Sequence, residues 1–97
     1  MKPKSNSPEH IADYLTRNNA YLVIGVTKIV GQRGYRGKVN LGKAAGARGT
    51  NDRAARPVES AERLGLIRST YEGGAYLYWP TSLGQQVIRR LEATDAS

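Results

Sequence analysis

Ninety-seven residues, 39% of them hydrophobic, are enough for one small core and exclude a multidomain enzyme. With no cysteine there is no disulfide framework, thiolate nucleophile or cysteine-based metal site, and a single histidine cannot complete a histidine-rich one. Fifteen Lys and Arg against eight Asp and Glu give a net charge of +7 and a pI near 10.1, which makes polyanions the natural partners. The longest apolar stretch, residues 20–26, is too short to cross a bilayer, and Met1, Lys2, Pro3 and Lys4 lead into polar residues. The expectation is a soluble, cytoplasmic protein with no membrane partner.

Residues 1–6 hold no apolar residue after Met1 and read as a flexible tail. Ser7 then offers a capping hydroxyl, Pro8 suits the first helical turn, and Glu9 lies near the positive end of a helix that puts Ile11, Tyr14 and Leu15 on one face. His10, beside Glu9 and Asp13, has no nucleophile to pair with and reads as a surface residue. Asn18 and Asn19 interrupt the pattern. Residues 21–30 fit two periods: Leu22, Val26, Ile29 and Val30 form a helical stripe, while the β-branched Val23, Ile24, Val26, Thr27, Ile29 and Val30 suit a buried strand. Helix is the preferred reading, because it would back the motif that follows.

In residues 31–38 a glycine recurs at every third position, Gly31, Gly34 and Gly37, with Arg33, Tyr35, Arg36 and Lys38 around them, the composition of a mobile basic loop. Val39, Asn40 and Leu41 suit a short strand or extended link, and Leu41, Ala44 and Ala45 mark a short helix that stops at Gly46 or Gly49. Residues 37–44 come close to a phosphate-binding loop, but Ala44 stands where a Ser or Thr would hold magnesium, and no parallel-sheet pattern surrounds it. Neither enzymatic activity nor a cofactor is expected.

Thr50, Asn51 and Asp52 offer caps for a helix reaching residue 64, its regular part expected only from residues 54–56 so that Pro57 falls in the first turn. Val58, Ala61 and Leu64 form its buried stripe, Glu59, Glu62 and Arg63 lie outside, and Gly65 sits where a helix-ending glycine belongs. The period then becomes alternating. Ile67, Ser69 and Tyr71 share one side, Arg68, Thr70 and Glu72 the other, Gly73 and Gly74 turn the chain, and Tyr76 and Tyr78 alternate with Leu77 and Trp79 on the return. Tyr71, Tyr76, Tyr78 and Trp79 could offer faces for stacking single-stranded bases, but a hairpin has to pack one face against helices, so Leu77 and Trp79 are expected in the core. Pro80 ends the strand, Thr81 or Ser82 caps a last helix with Leu83, Val87, Ile88 and Leu91 on its apolar face, and residues 93–97 read as a second flexible tail. A single domain over residues 7–92 follows.

The run Val58-Glu59-Ser60-Ala61-Glu62-Arg63-Leu64-Gly65-Leu66-Ile67, then a hairpin, then Pro80-Thr81-Ser82-Leu83-Gly84-Gln85-Gln86-Val87, resembles the winged helix-turn-helix proteins. In that superfamily the recognition helix commonly ends in a Leu-x-x-x-Gly-Leu-Ile-like phrase, a wing follows, and a Leu-Thr-x-x-Gly phrase opens the next helix; here Pro80 stands where leucine is frequent. The likeness spans residues 20–92. It implies an α+β winged helix-turn-helix fold, mainly helical, with a C-terminal two-stranded β-hairpin wing and a closing helix. It also implies sequence-specific binding of double-stranded DNA by a small transcriptional regulator of bacterial or phage type, with residues 41–48 as the first helix of the motif and residues 51–64 holding the recognition helix.

The charge distribution agrees with that implication. Between Lys28 and Arg56 the basic residues are Lys28, Arg33, Arg36, Lys38, Lys43, Arg48, Arg53 and Arg56, and Asp52 is the sole acid. Arg53 and Arg56 fall where the recognition helix would meet base edges, and a guanidinium matches guanine O6 and N7 together. Asn51 would pair with adenine or cap the helix. Arg33, Arg36, Lys38, Lys43 and Arg48 suit phosphate contacts, Tyr35 a nucleic-acid contact within the loop, and Arg68 a phosphate or minor-groove contact from the wing, although the tip Glu72-Gly73-Gly74 is acidic. Two other readings share these features: a winged-helix RNA-binding or ribosome-associated protein, and a protein-interaction module. Palindromic DNA sites would call for a homodimer, with the first or last helix as the seam.

Overall fold

The computed structural model describes residues 5–96, so residues 1–4 of the predicted N-terminal tail and Ser97 lie outside the described residues. Helix α1 (Pro8–Arg17) begins as its sequence predicts: Ser7 Oγ accepts the His10 backbone N–H at 3.2 Å and Pro8 occupies the first turn. Its Ile11, Ala12 and Leu15 are buried, and Glu9 reaches across to Arg90 at 3.3 Å. The chain turns at Asn19, whose φ of 52° lies in the left-handed region that asparagine tolerates. Of the two periods open to the next segment, the helical one is realised as α2 (Tyr21–Gln32). Val26 and Val30 are fully buried, and the buried Thr27 hydroxyl donates to the Val23 carbonyl at 2.8 Å, so this polar group is satisfied inside the core.

The predicted mobile loop over residues 31–38 is instead ordered structure. Gly31 and Gln32 finish α2, Tyr35 and Arg36 form a short strand β1 (Tyr35–Arg36), and Lys38 opens α3 (Lys38–Ala44). The reason is a free strand edge: β1 pairs antiparallel with β3 (Ala75–Pro80), Tyr35 opposite Tyr78 and Arg36 opposite Leu77, and the Gly37 N–H extends the ladder to the Tyr76 carbonyl at 2.9 Å. Gly37, at φ 94°, then swings the chain out of the sheet into α3. Val39, Asn40 and Leu41 are therefore helical rather than extended, and the predicted helix over residues 41–48 is displaced toward the N-terminus, leaving Arg48 in the connection to α4 (Asn51–Arg63).

With β2 (Ile67–Glu72), the sheet has three strands in the order β1-β3-β2, not the two of the predicted hairpin wing. Gly73 and Gly74, with φ of 60° and 80°, make the two-residue turn between β2 and β3. This turn sets the register Glu72 to Ala75, Ser69 to Tyr78 and Ile67 to Pro80. Directly paired residues share a face, so Tyr78 joins Ile67 in the core while Trp79, opposite Arg68, points away. The expectation that Leu77 and Trp79 fill the core is thus reversed: Tyr78 is fully buried and Trp79 is 37% exposed.

Helix α4 starts earlier than Pro57 suggests. Thr50 Oγ1 accepts the Arg53 N–H at 3.2 Å and caps the helix, so its regular part begins at Asn51 with the Pro57 ring buried in the interior. The helix forgoes the hydrogen bond that residue 57 would give the Arg53 carbonyl. Ala54, Val58 and Ala61 are buried, and a methyl on Gly42 of α3 would overlap the Ala54 carbonyl, which brings the two backbones into contact. Thr81 accepts the Gly84 N–H at 2.9 Å and opens α5 (Ser82–Ala96), which continues through the region predicted as a tail from residue 93. α1 and α5 pack on each other, joining Ile11, Leu15, Val87 and Leu91 to one core. The whole is an α+β arrangement of five helices and one antiparallel sheet among the described residues.

Gly42→Ala should cost roughly 3 kcal/mol or more, since the new methyl meets backbone that cannot turn aside, and the midpoint of urea unfolding will read the loss. Tyr78 gives a second test. Its hydroxyl is buried without a hydrogen-bond partner among the described residues, and burial, with smaller help from Glu62, pushes its pKa from 10.0 up to about 12. Between those values the unfolded chain loses a proton that the folded chain keeps, so stability present below pH 10 drains away as pH rises, by about 3 kcal/mol in full. Tyr78→Phe should be neutral or stabilising at pH 7 and should show a smaller loss between pH 10 and 12 in denaturant melts.

Candidate nucleic-acid interface

The end of α2, strand β1 and helix α3 enclose an open groove of about 780 Å³ lined by Arg33, Gly34, Tyr35, Arg36, Asn40, Lys43 and Ala44. Each element supplies its residues for a local reason. Arg33 ends α2 in extended conformation, β1 lays down Tyr35 and Arg36, and α3 places Asn40 and Lys43 three residues apart on one helical face. Four residues that the sequence singles out, Arg33, Tyr35, Arg36 and Lys43, are thereby brought together, and no acidic residue lines the groove with them. Three cations beside a phenol and an amide can give several charge-assisted hydrogen bonds to phosphate oxygens. Arg36 Nη2 also donates to the Gly73 carbonyl at 2.8 Å, so this guanidinium is held toward the hairpin tip while remaining exposed.

Lys38 is directed elsewhere. Its ammonium lies 3.3 Å from Glu59 Oε2 and 5.0 Å from the centroid of the Tyr76 ring, tying α3 to α4 and the sheet. Tyr76 in turn meets Tyr71 edge-on at 5.0 Å between centroids. On α4, Asn51, Arg53 and Arg56 are exposed in the first two turns, and neither arginine makes an ion pair among the described residues. The cap is Thr50, so the Asn51 side chain is not the cap considered from sequence. Arg48 is exposed in the α3–α4 connection between two glycines of positive φ, Gly46 and Gly49. These α4 and connection residues do not line the groove, nor does Arg68, which is exposed on β2 across from Trp79.

One residue escapes the sequence reading and another is misplaced by it. Asn40 lies on the Lys43 face of α3, a relation visible only once the helix is known to begin at Lys38. Trp79 lies on the outer face of the sheet beside Arg68. A smaller groove of about 430 Å³ between α2 and α5 mixes Lys28 and Arg89 with Glu92 and carries no uniform charge. Among the described residues no three His, Cys, Asp or Glu are grouped to hold a metal ion, and no helix is long and apolar enough to cross a membrane. Comparison with models of known protein families, with curated proteins and with solved structures returns no match.

Thr50→Ala should cost about 1 kcal/mol of stability through loss of the cap, whereas Asn51→Ala should cost less than about 0.5 kcal/mol; thermal melts of the two variants distinguish them.

Proposed function

We propose that the chain is a winged helix-turn-helix protein that binds double-stranded DNA sequence-specifically and acts as a small transcriptional regulator. The observation that carries this reading is the acid-free groove that gathers Arg33, Arg36 and Lys43 beside Tyr35. Two further features support it. From α2 onward the elements run helix, strand, helix, helix, strand, strand, with the first strand on the far side of the third, an order compatible with the winged-helix arrangement. The helix pair α3 and α4 is in backbone contact and leaves Arg53 and Arg56 exposed at the start of the second helix, the part that enters the major groove in helix-turn-helix proteins.

In this reading the two arginines of α4 address base edges, each worth about 1–3 kcal/mol of discrimination when bidentate to guanine. Arg33, Arg36, Lys43 and Arg48 hold phosphates and supply affinity without sequence choice. Lys38 contributes through the position it gives α3 and not through contact. Arg68 and the acidic hairpin tip make the wing a shallow contact. Binding is accordingly steeply salt dependent, because each phosphate neutralised releases counterions.

Selection of bound fragments from a random duplex pool, followed by binding of the selected sequence at two salt concentrations, tests this. Arg53→Ala and Arg56→Ala should relax base preference at particular positions, while Lys43→Ala should weaken all duplexes alike and reduce the salt slope by about one. Equal effects of the three substitutions on every duplex, or tighter binding of structured RNA than of any selected duplex, would overturn the assignment.

A further inference from the structure

The outer face of the sheet carries the sole tryptophan of the chain in a setting that core packing does not explain. Trp79 is 37% exposed, yet its ring is held at both ends. On one side its Nε1 donates to Thr70 Oγ1 on β2 at 3.2 Å. On the other, Cζ3 and Cε3 lie so close to Gly34 that a methyl there would sit 2.9 and 3.0 Å from them. Because β2 and the chain entering β1 flank β3 on opposite sides, these two anchors draw the indole across the sheet and leave its other surface to solvent.

The surroundings are cationic. Arg68 is directly opposite Trp79, and Arg36 shares the same face through its pairing with Leu77, its guanidinium held at the Gly73 carbonyl toward the hairpin end. Gly34 and Arg36 also line the basic groove at the edge of β1, so groove and tryptophan form one continuous surface. Glu72, the acid on this face, lies at the hairpin end, beyond Thr70 from Trp79. An immobilised aromatic plane opposite Arg68 and continuous with a basic groove fits a flat ring attached to a phosphate chain.

We infer that Trp79 is a stacking platform for an unpaired base of a nucleic-acid strand whose phosphates run into the Arg33–Lys43 groove. The occupant is single-stranded nucleic acid, chosen by charge complementarity with Arg68 and the groove cations and by the pre-set ring, since a sequence-tolerant stack on a basic surface is how single strands are held. This site shares the Arg33–Lys43 groove with the proposed duplex contact but does not use α4, and it stands without that contact.

The test uses the full chain and three probes: a short oligo(dT) strand, an abasic strand of equal length and charge, and a blunt duplex. Because Trp79 is the only tryptophan, its emission reports the site directly. Oligo(dT) should quench it, whereas the abasic strand should bind through charge and leave emission nearly unchanged. By fluorescence anisotropy of labelled strands, Trp79→Leu should weaken oligo(dT) binding about fivefold to a hundredfold, Trp79→Phe should restore most of it, and neither should alter blunt-duplex binding. Arg68→Ala, which leaves the ring anchors intact, should raise the dissociation constant for oligo(dT) while keeping the full quench at saturation. Oligo(dT) binding without quenching, equal quenching by the abasic strand, or wild-type affinity in the leucine variant would overturn the inference. Loss of blunt-duplex binding alone would count against the duplex reading and leave this one standing.

Discussion

The contact of Gly42 with the Ala54 carbonyl fixes how α3 seats on α4, and with it which side chains α3 turns to the core and which to the groove. With no side chain between them, α3 and α4 meet backbone to backbone, and the rotation of α3 about its own axis is settled by that contact. Leu41 then enters the core, Lys38 comes within reach of Glu59, and Asn40 and Lys43 turn toward β1. The same device closes the other end of the domain, where a methyl on Gly84 of α5 would overlap the Leu66 carbonyl. Thr81 reinforces it, donating its hydroxyl to the Gly65 carbonyl at 2.7 Å while capping α5, so that the exit from α4 and the entry to α5 share one side chain. Close backbone approach is intolerant of added volume and yields one geometry where side-chain packing would allow several.

Elements governed by local chemistry were readable from the sequence. The Ser7-Pro8 start of α1, the Gly73-Gly74 turn and the apolar faces of α1 and α5 depend on residues within a turn or two of one another. The outcomes that differ depend on distant partners. Tyr35 and Arg36 look like loop between glycines, and only the open edge of β3, some forty residues on, makes them a strand. The inward turn of Tyr78 was legible in principle. A two-residue turn at Gly73 and Gly74 requires Ile67 to face Pro80, and a buried Ile67 then carries position 78 inward with it. Hydrophobicity argues the other way, because tryptophan and leucine are the more apolar residues of the strand, and register outweighs it.

The candidate site divides along the same line. That Arg33, Arg36 and Lys43 belong together was suggested by charge density along the chain, but their convergence rests on β1 and on the early start of α3. Lys38 shows the limit of counting charge. It sits in the same basic run, yet Glu59, 21 residues further on, takes it up, and its side chain is only 28% exposed. Asn40 carries no charge and reaches the groove only because α3 starts at Lys38, and Trp79 faces outward only because the register turns Tyr78 into the core.

The acids of α4 explain why the basic character of this region survives three carboxylates on one helix. Asp52 lies in the first turn, where the helix end is positive and a carboxylate offsets unsatisfied N–H groups. Glu59 is matched by Lys38, and Glu62 accepts the Ser69 hydroxyl at 2.6 Å, close to the buried Tyr78 ring whose ionisation it opposes. Glu59 and Glu62 thus each have a side-chain partner on a neighbouring element, and Asp52 lies at the positive end of its own helix. Arg53, Arg56 and Arg48 have no such partner among the described residues, and neither do Arg33 and Lys43 in the groove. A surface ion pair adds little stability, so leaving these five cations unpaired costs the fold almost nothing, while each contributes its full charge to the field that a polyanion meets.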